Sequence, residues 1–284
     1  MSTTPHRGPL WRLVRRHRVR LLLTYALLAA EAAVDLLQPL ALGWAVQSLV
    51  TGGGAGLTLF VLQQLVGCGL GMARRLWDAR FFSQVAAELA QGLVLDQRAA
   101  GLETSAVAAR AGLSAQVVDF LERDIPFVVR ASLQGVGALV LLGLVAPRLV
   151  PFAVALFIPA VGLGAVYAGY ARRGTTRLHD EMERTVRVVA GGTPDEVRAH
   201  FGTLAIVRKL LARAETAYFG AWQAVGLCFI AAVFVCDPGE PRTAGEWTAL
   251  LGYAYVLLAT LINAPRMLEQ AIRFRDIAGR LRGS

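Results

Sequence analysis

Glu31 and Asp35 are acids set four residues apart in a stretch, Leu21 to Val50, that holds no other charge. Residues at i and i+4 share a helix face, and Gln38, three further on, extends it. An ionisable side chain inside an apolar span is a functional candidate by default, because an isolated charge there costs about 3 kcal/mol or more. Burial and a like-charged neighbour both favour the protonated form of a carboxyl. Such a pair can carry a proton, or bind a cation or a basic substrate. The other reading is structural: the acids pair with Arg74, Arg75 or Arg130 and hold helices together. The residue types leave both open.

The elements that must position this pair are written in the charge pattern. Of the 284 residues, 55% are hydrophobic and 17% charged, against about 25% charged in an ordinary soluble domain. The shortfall comes from long charge-free windows: residues 57–73, 131–147, 149–171, 216–236 and 247–265. Each approaches the ~20 residues that cross a bilayer as a helix. With the first stretch they predict an all-α membrane protein of six spans, residues 21–284, behind a basic N-terminal segment, residues 1–20. The run from Leu21 is too long, and too acidic at two positions, for a cleaved secretory signal.

Three short loops, at Gly52–Gly56, Ala146–Val150 and Asp237–Gly245, lie on one side of this arrangement. Of the 29 Lys and Arg residues, only Arg148 and Arg242 go with them. Cytoplasmic loops carry the excess of Lys and Arg. Both termini and both long connections are therefore expected in the cytoplasm, with the spans in the inner (plasma) membrane. The net charge of +9 is read as this topology signal, with Arg12, Arg15, Arg16, Arg18 and Arg20 drawn to anionic lipid heads. A nucleic-acid partner is rejected. Cys68, Cys228 and Cys236 have no metal-ligand spacing, so no metal or cofactor is expected. His17, His179 and His200 are read as solvated.

The long connections look helical. Residues 74–100 lack proline and are rich in Ala, Leu, Gln, Glu and Arg, which favour helix. Phe81, Val85, Leu89 and Leu93 repeat at helical spacing. A break is expected near Gly101–Thr104, with helix resuming through Val107–Ala146 and a kink at Pro126. The second half repeats the plan from about Val150, with a break at Gly191–Pro194. There Thr193 is an N-cap candidate, Pro194 suits the first helical position, and Asp195 and Glu196 suit the first turn. Helices two to five thus reach about 40 residues each, or ~60 Å. That is twice the hydrocarbon thickness, so two hairpins project from the membrane.

Six spans with two long intracellular hairpins resemble the transmembrane domain of an ABC exporter. The first span, LLTYALLAAEAAVDLLQPLALGWAVQSLV, is similar to that family's first helix, including Pro39. GLETSAVAARAGLSAQVVDFLERDI resembles its first intracellular loop, and MERTVRVVAGGTPDEVRAHFG its second. The domain has no catalytic signature, so the chain is read as not an enzyme. A P-loop needs a Gly-Lys-Ser/Thr step. The single lysine, Lys209, follows Arg208, and no ATP-binding domain is expected in this chain.

The resemblance implies a homodimer in the lipid bilayer that moves a small molecule or peptide. It implies that Gly101, Glu103 and Thr104, and again Thr193, Pro194, Asp195 and Glu196, form elbows where an ATP-binding subunit couples. It also places Asn263 and Glu269 on a pathway-lining last helix, where Pro265 introduces a kink. Three functions stay open: a proton-driven secondary transporter using Glu31 and Asp35, the membrane subunit of an ABC transporter with a separate ATP-binding subunit, or a non-transport scaffold or maturation protein.

Overall fold

The computed structural model describes residues 15–99, 118–236 and 242–270. All regular structure among them is helical. The expected elbow at Gly101, Glu103 and Thr104 lies outside the described residues. Five helical stretches are long and apolar enough to cross a membrane, and a bent pair makes a sixth span. The chain is a multi-pass membrane protein.

The first span is broken into α1 (Arg18–Leu36) and α2 (Gln38–Val50). Pro39 in the first turn of α2 has no N–H to continue the ladder. At the joint, the Leu37 N–H turns back to Val34 O at 3.2 Å. Gly52, at φ 78°, makes the turn into α3. That φ costs glycine nothing but strains a residue with a Cβ. Helix α3 (Ala55–Ala99) runs 45 residues without a break, about 67 Å at 1.5 Å per residue.

The third span opens with a π-helical turn, Phe120–Asp124, before α4 (Ile125–Val145). Pro126 explains it. The missing N–H leaves the Glu122 carbonyl without its usual donor, and the ladder widens there instead of simply kinking. A 3-10 turn, Pro147–Leu149, leads to the short α5 (Val150–Ala155) and then α6 (Phe157–Gly191). The fourth span is therefore not one helix from Val150. Two helices, α5 and α6, meet at Leu156. Helix α7 (Pro194–Cys236) is 43 residues long. The sixth span is α8 (Ala244–Leu261) followed by α9 (Ala264–Gln270), bent by 44°.

The chain divides into two compact units. The first holds Met1–Leu141, Pro241–Val256 and Gln270–Ser284, and the second Leu142–Glu240 and Leu257–Glu269. Within the first, Leu21, Phe81, Phe82, Val85 and Val118 form a buried cluster with Tyr25 and Leu89 against it. The helical repeat Phe81, Val85, Leu89 is thus the inward face of the long α3 extension. In the same unit Gly43 of α2 and Gly245 of α8 meet backbone to backbone, and a Cβ on either would collide with the other's carbonyl oxygen. The Gly245 N–H, an orphan donor at the start of α8, is satisfied by Gln47 Oε1 at 3.3 Å. In the second unit, α6 and α7 pack along each other.

The glycine contact makes a direct test. Gly43→Ala is expected to destabilise the folded protein by about 1–3 kcal/mol through overpacking. Gly69→Ala, where an added Cβ meets nothing, should be neutral or better. Thermal unfolding of both variants in the same detergent checks it, and equal melting points would remove the helix contact from the account.

Candidate functional site

Glu31 and Asp35 do lie together, and neither is free. Glu31 is 5% exposed. Its Oε2 accepts from Arg74 Nε in a short ion pair, and its Oε1 accepts from an Arg130 guanidinium nitrogen at 3.2 Å. Arg130 also donates to Asp35 Oδ2 in a second short pair. Arg74, in turn, donates to Asp78 Oδ2 at 2.8 Å. Five charges therefore alternate in a chain: Asp78, Arg74, Glu31, Arg130, Asp35. They come from α1, α3 and α4, all in the first unit. Gly71, one turn before Arg74, lets α3 approach, since a Cβ there would stand 3.2 Å from Glu31 Oε1.

The helical register explains the arrangement. Glu31 and Asp35 face the same side of α1, and Arg74 and Asp78 repeat that i, i+4 spacing on α3 with one basic and one acidic residue. Arg75 is exposed and takes no part in this chain of pairs. Gln38 is also exposed. It begins α2 beyond the break at Leu37, so the straight helix that would have continued the Glu31–Asp35 face is absent. Asp78, four residues from Arg74, is a full member of the cluster. Its spacing from Arg74 was the available signal.

Asn263 and Glu269 belong to a different place, in the second unit. Asn263 sits at the bend of the sixth span and donates from Nδ2 to Ala259 O at 2.9 Å. Glu269 is exposed. Pro265 is buried just past the bend, and its missing N–H cannot serve the Leu261 carbonyl. Two side chains of α7 brace this broken backbone: Tyr218 Oη donates to Ile262 O at 2.8 Å, and Trp222 Nε1 to Leu258 O at 3.2 Å. Tyr218 stacks on Tyr167 of α6, with ring centres 5.0 Å apart. Beside the stack lies a largely apolar cavity of about 440 Å³, lined by Tyr167, Tyr170, Leu211, Arg213 and Tyr218 among others.

The elbow between α6 and α7 forms at Gly192–Thr193. Thr193 is its N-cap. The Thr193 N–H and hydroxyl donate to Glu196 Oε2 at 2.8 and 3.1 Å, and the Glu196 N–H returns to Thr193 Oγ1 at 3.4 Å. This is a capping box, with Pro194 at the first helical position and Asp195 pairing with Arg198 at 3.1 Å. The same box, unrecognised in the sequence, starts α8 through Thr243 and Glu246. Thr193, Pro194, Asp195 and Glu196 are all exposed.

His200 is buried, and not solvated as its polar surroundings in the sequence suggested. Its Nδ1 lies 3.0 Å from Glu181 Oε2 and its Nε2 2.9 Å from Thr185 Oγ1, tying α7 to α6 about two turns from the elbow. His17 is likewise buried, against Phe81 and 3.3 Å from Glu88.

Glu196 lies about 20 residues from the charge-free half of α7, roughly 30 Å along the axis and clear of the apolar segment. The Thr193 backbone and side-chain bonds hold its carboxyl below the ordinary value. A lowered value stabilises the elbow above the unfolded carboxyl range, and that stabilisation is lost as the pH falls through the lowered value. Glu196→Gln should loosen the elbow at neutral pH and match wild type in acid, as read by susceptibility of the tip to proteolysis. Equal cleavage at neutral pH would discount the box.

The charge chain gives a second expectation. Arg74, 13% exposed, leaves two carboxylates short of a partner when removed. Arg74→Ala should cost about 3–5 kcal/mol, as expected for breaking a buried pair. Arg130→Ala, at a site 35% exposed, should cost less. Denaturant unfolding in mixed micelles orders the two, and the reverse order would contradict this.

The profile of one protein family, described as the ABC transporter transmembrane region, matches residues 10–245. No match was found among curated proteins. The chain belongs to the family of ABC transporter transmembrane regions and is a membrane transporter component.

Proposed function

We propose that the chain forms the translocation core of an ABC exporter-type transporter, driven through its elbows by an ATP-binding unit that these 284 residues do not contain. The observation that carries this reading is the α6–α7 hairpin. A 43-residue helix is about 64 Å long, and only one half is free of charge. The other half holds its elbow about one membrane thickness away, with an exposed, capped start at Thr193–Glu196 that can seat on a partner. The second elbow, at Gly101, Glu103 and Thr104, plays the same part in this proposal.

The positive charge of the long connections supports a cytoplasmic location for both elbows and both termini of an inner-membrane protein. Two copies of the chain assemble as a homodimer around a shared pathway for a small molecule or peptide, with Asn263 and Glu269 on the last helix beside it. A proton-driven mechanism through Glu31 and Asp35 is the competing reading. Both carboxylates are engaged by guanidiniums, which favours their structural role and, with it, drive by ATP.

Reconstitution into proteoliposomes separates the two. With the co-expressed ATP-binding subunit, transport should require ATP and persist without a proton gradient. Cysteines at Asp195 and on that subunit should cross-link. Transport driven by a proton gradient alone, and abolished by Glu31→Gln or Asp35→Asn, would replace this reading with the secondary transporter.

A further inference from the structure

The cavity beside the Tyr167–Tyr218 stack has a definite place in the bilayer. The charge-free windows run over residues 149–171 of α6 and 216–236 of α7. Tyr167 and Tyr218 therefore lie inside the apolar layer. Gly174 and Arg213, which line the same cavity, lie just outside it. The cavity straddles the membrane boundary. Its volume of about 440 Å³ is that of a small-molecule site, roughly 300–1,000 Å³. Its wall is open to the surroundings, with Val166 61% and Tyr170 62% exposed. Within the layer those surroundings are acyl chains.

The register of the two helices puts cations at the outer end. Gly174 faces Leu211, whose side chain an added Cβ would strike, and α6 and α7 run antiparallel. Arg173 thus stands level with the turn of α7 that carries Arg213. Val166, Tyr170, Gly174 and Arg177 fall on one face of α6, so Arg177 continues the lining stripe one turn beyond Gly174. Arg173, Arg177 and Arg213 are exposed, and none of them forms an ion pair among the described residues. Glu215 and Glu269 are near Tyr167, but among the described residues that line the cavity the charged one is Arg213.

An apolar wall inside the bilayer, with guanidiniums free of ion pairs at its edge, matches the two ends of one molecule. We propose that the groove between α6 and α7 binds an anionic phospholipid, with an acyl chain against the Tyr167–Tyr218 stack and the phosphate held by Arg177 and Arg213. The guanidinium fork suits this contact, because its N–H groups meet two phosphate oxygens at once. Tyr170, at the boundary, has an apolar ring for the chain and a hydroxyl for the headgroup region. The proposal goes beyond the transport reading. It needs only that the chain is embedded in a membrane, and it holds whichever energy source drives the protein.

Native mass spectrometry of the purified full-length chain in mild detergent, titrated with phosphatidylglycerol or with phosphatidylcholine of the same acyl chains, tests it. The anionic lipid should be retained in preference. Arg177→Gln with Arg213→Gln should weaken its binding about thirtyfold, near fivefold for each cation at a membrane surface. Arg208→Gln with Lys209→Gln removes the same charge from exposed positions that do not line the cavity, and should change binding little. Ala217→Trp, which fills the cavity and leaves every cation in place, should also abolish the preference. Glycerol 3-phosphate, a headgroup without chains, should not compete. Equal retention of the two lipids, equal losses in the two double variants, undiminished binding in Ala217→Trp, or competition by glycerol 3-phosphate overturns the proposal. So does binding of tetraphenylphosphonium that Ala217→Trp abolishes and the arginine variants leave intact, since that gives the groove to an organic cation.

Discussion

A carboxylate in the middle of an apolar span has to be neutralised by whatever it can reach, and Glu31 reaches two guanidiniums on two other spans. That constraint organises the first unit. Arg74 must stand on the α3 face toward α1, which turns Gly71 inward and sets the rotation of the whole 45-residue helix. The same rotation directs Phe81, Phe82 and Val85, further along α3, into the apolar cluster with Leu21. Arg130 must likewise face α1, and with it the register of α4 is set. In an apolar environment these pairs supply direction where the hydrophobic effect supplies none, since lipid solvates apolar faces as well as a neighbouring helix does.

The second unit is organised by a different deficit. Proline breaks the sixth span, and broken backbone in a membrane is tolerated only where other groups satisfy it. Tyr218 and Trp222 of α7 do so at Ile262 and Leu258, and the bend is held by named hydrogen bonds at a fixed place. The stacking of Tyr167 on Tyr218 extends that brace to α6. Further along the hairpin, His200 ties the same two helices through Glu181 and Thr185, so α6 and α7 are cross-linked at both levels.

Much of this was legible in the sequence for a physical reason: charge is too expensive in a bilayer to be scattered, so the uncharged windows mark the spans. The helix start at Thr193 was equally legible, because capping depends on residues three apart. The pairing of Glu31 and Asp35 was narrowed to three arginines, and choosing Arg74 and Arg130 needed the rotation of two helices that periodicity alone does not supply. The burial of Asp78, between the exposed Arg75 and Arg80, depends on which face α3 turns inward. The breaks were harder. Pro39, Pro126 and Pro265 were visible, but the response of the backbone at each, a hinge, a π turn and a braced bend, depends on what packs beside it. The burial of His200 was hidden for the same reason.

Complementary charge between α1, α3 and α4 sets how the first unit packs. Exchanging one pair tests it without removing any charge. Asp35→Arg and Arg130→Asp should each, alone, place like charges together and lower the yield of folded protein. The double exchange should restore a substantial part of that yield, measured by size-exclusion chromatography in mild detergent. Two well-folded single variants, or a double exchange no better than either, would contradict the account.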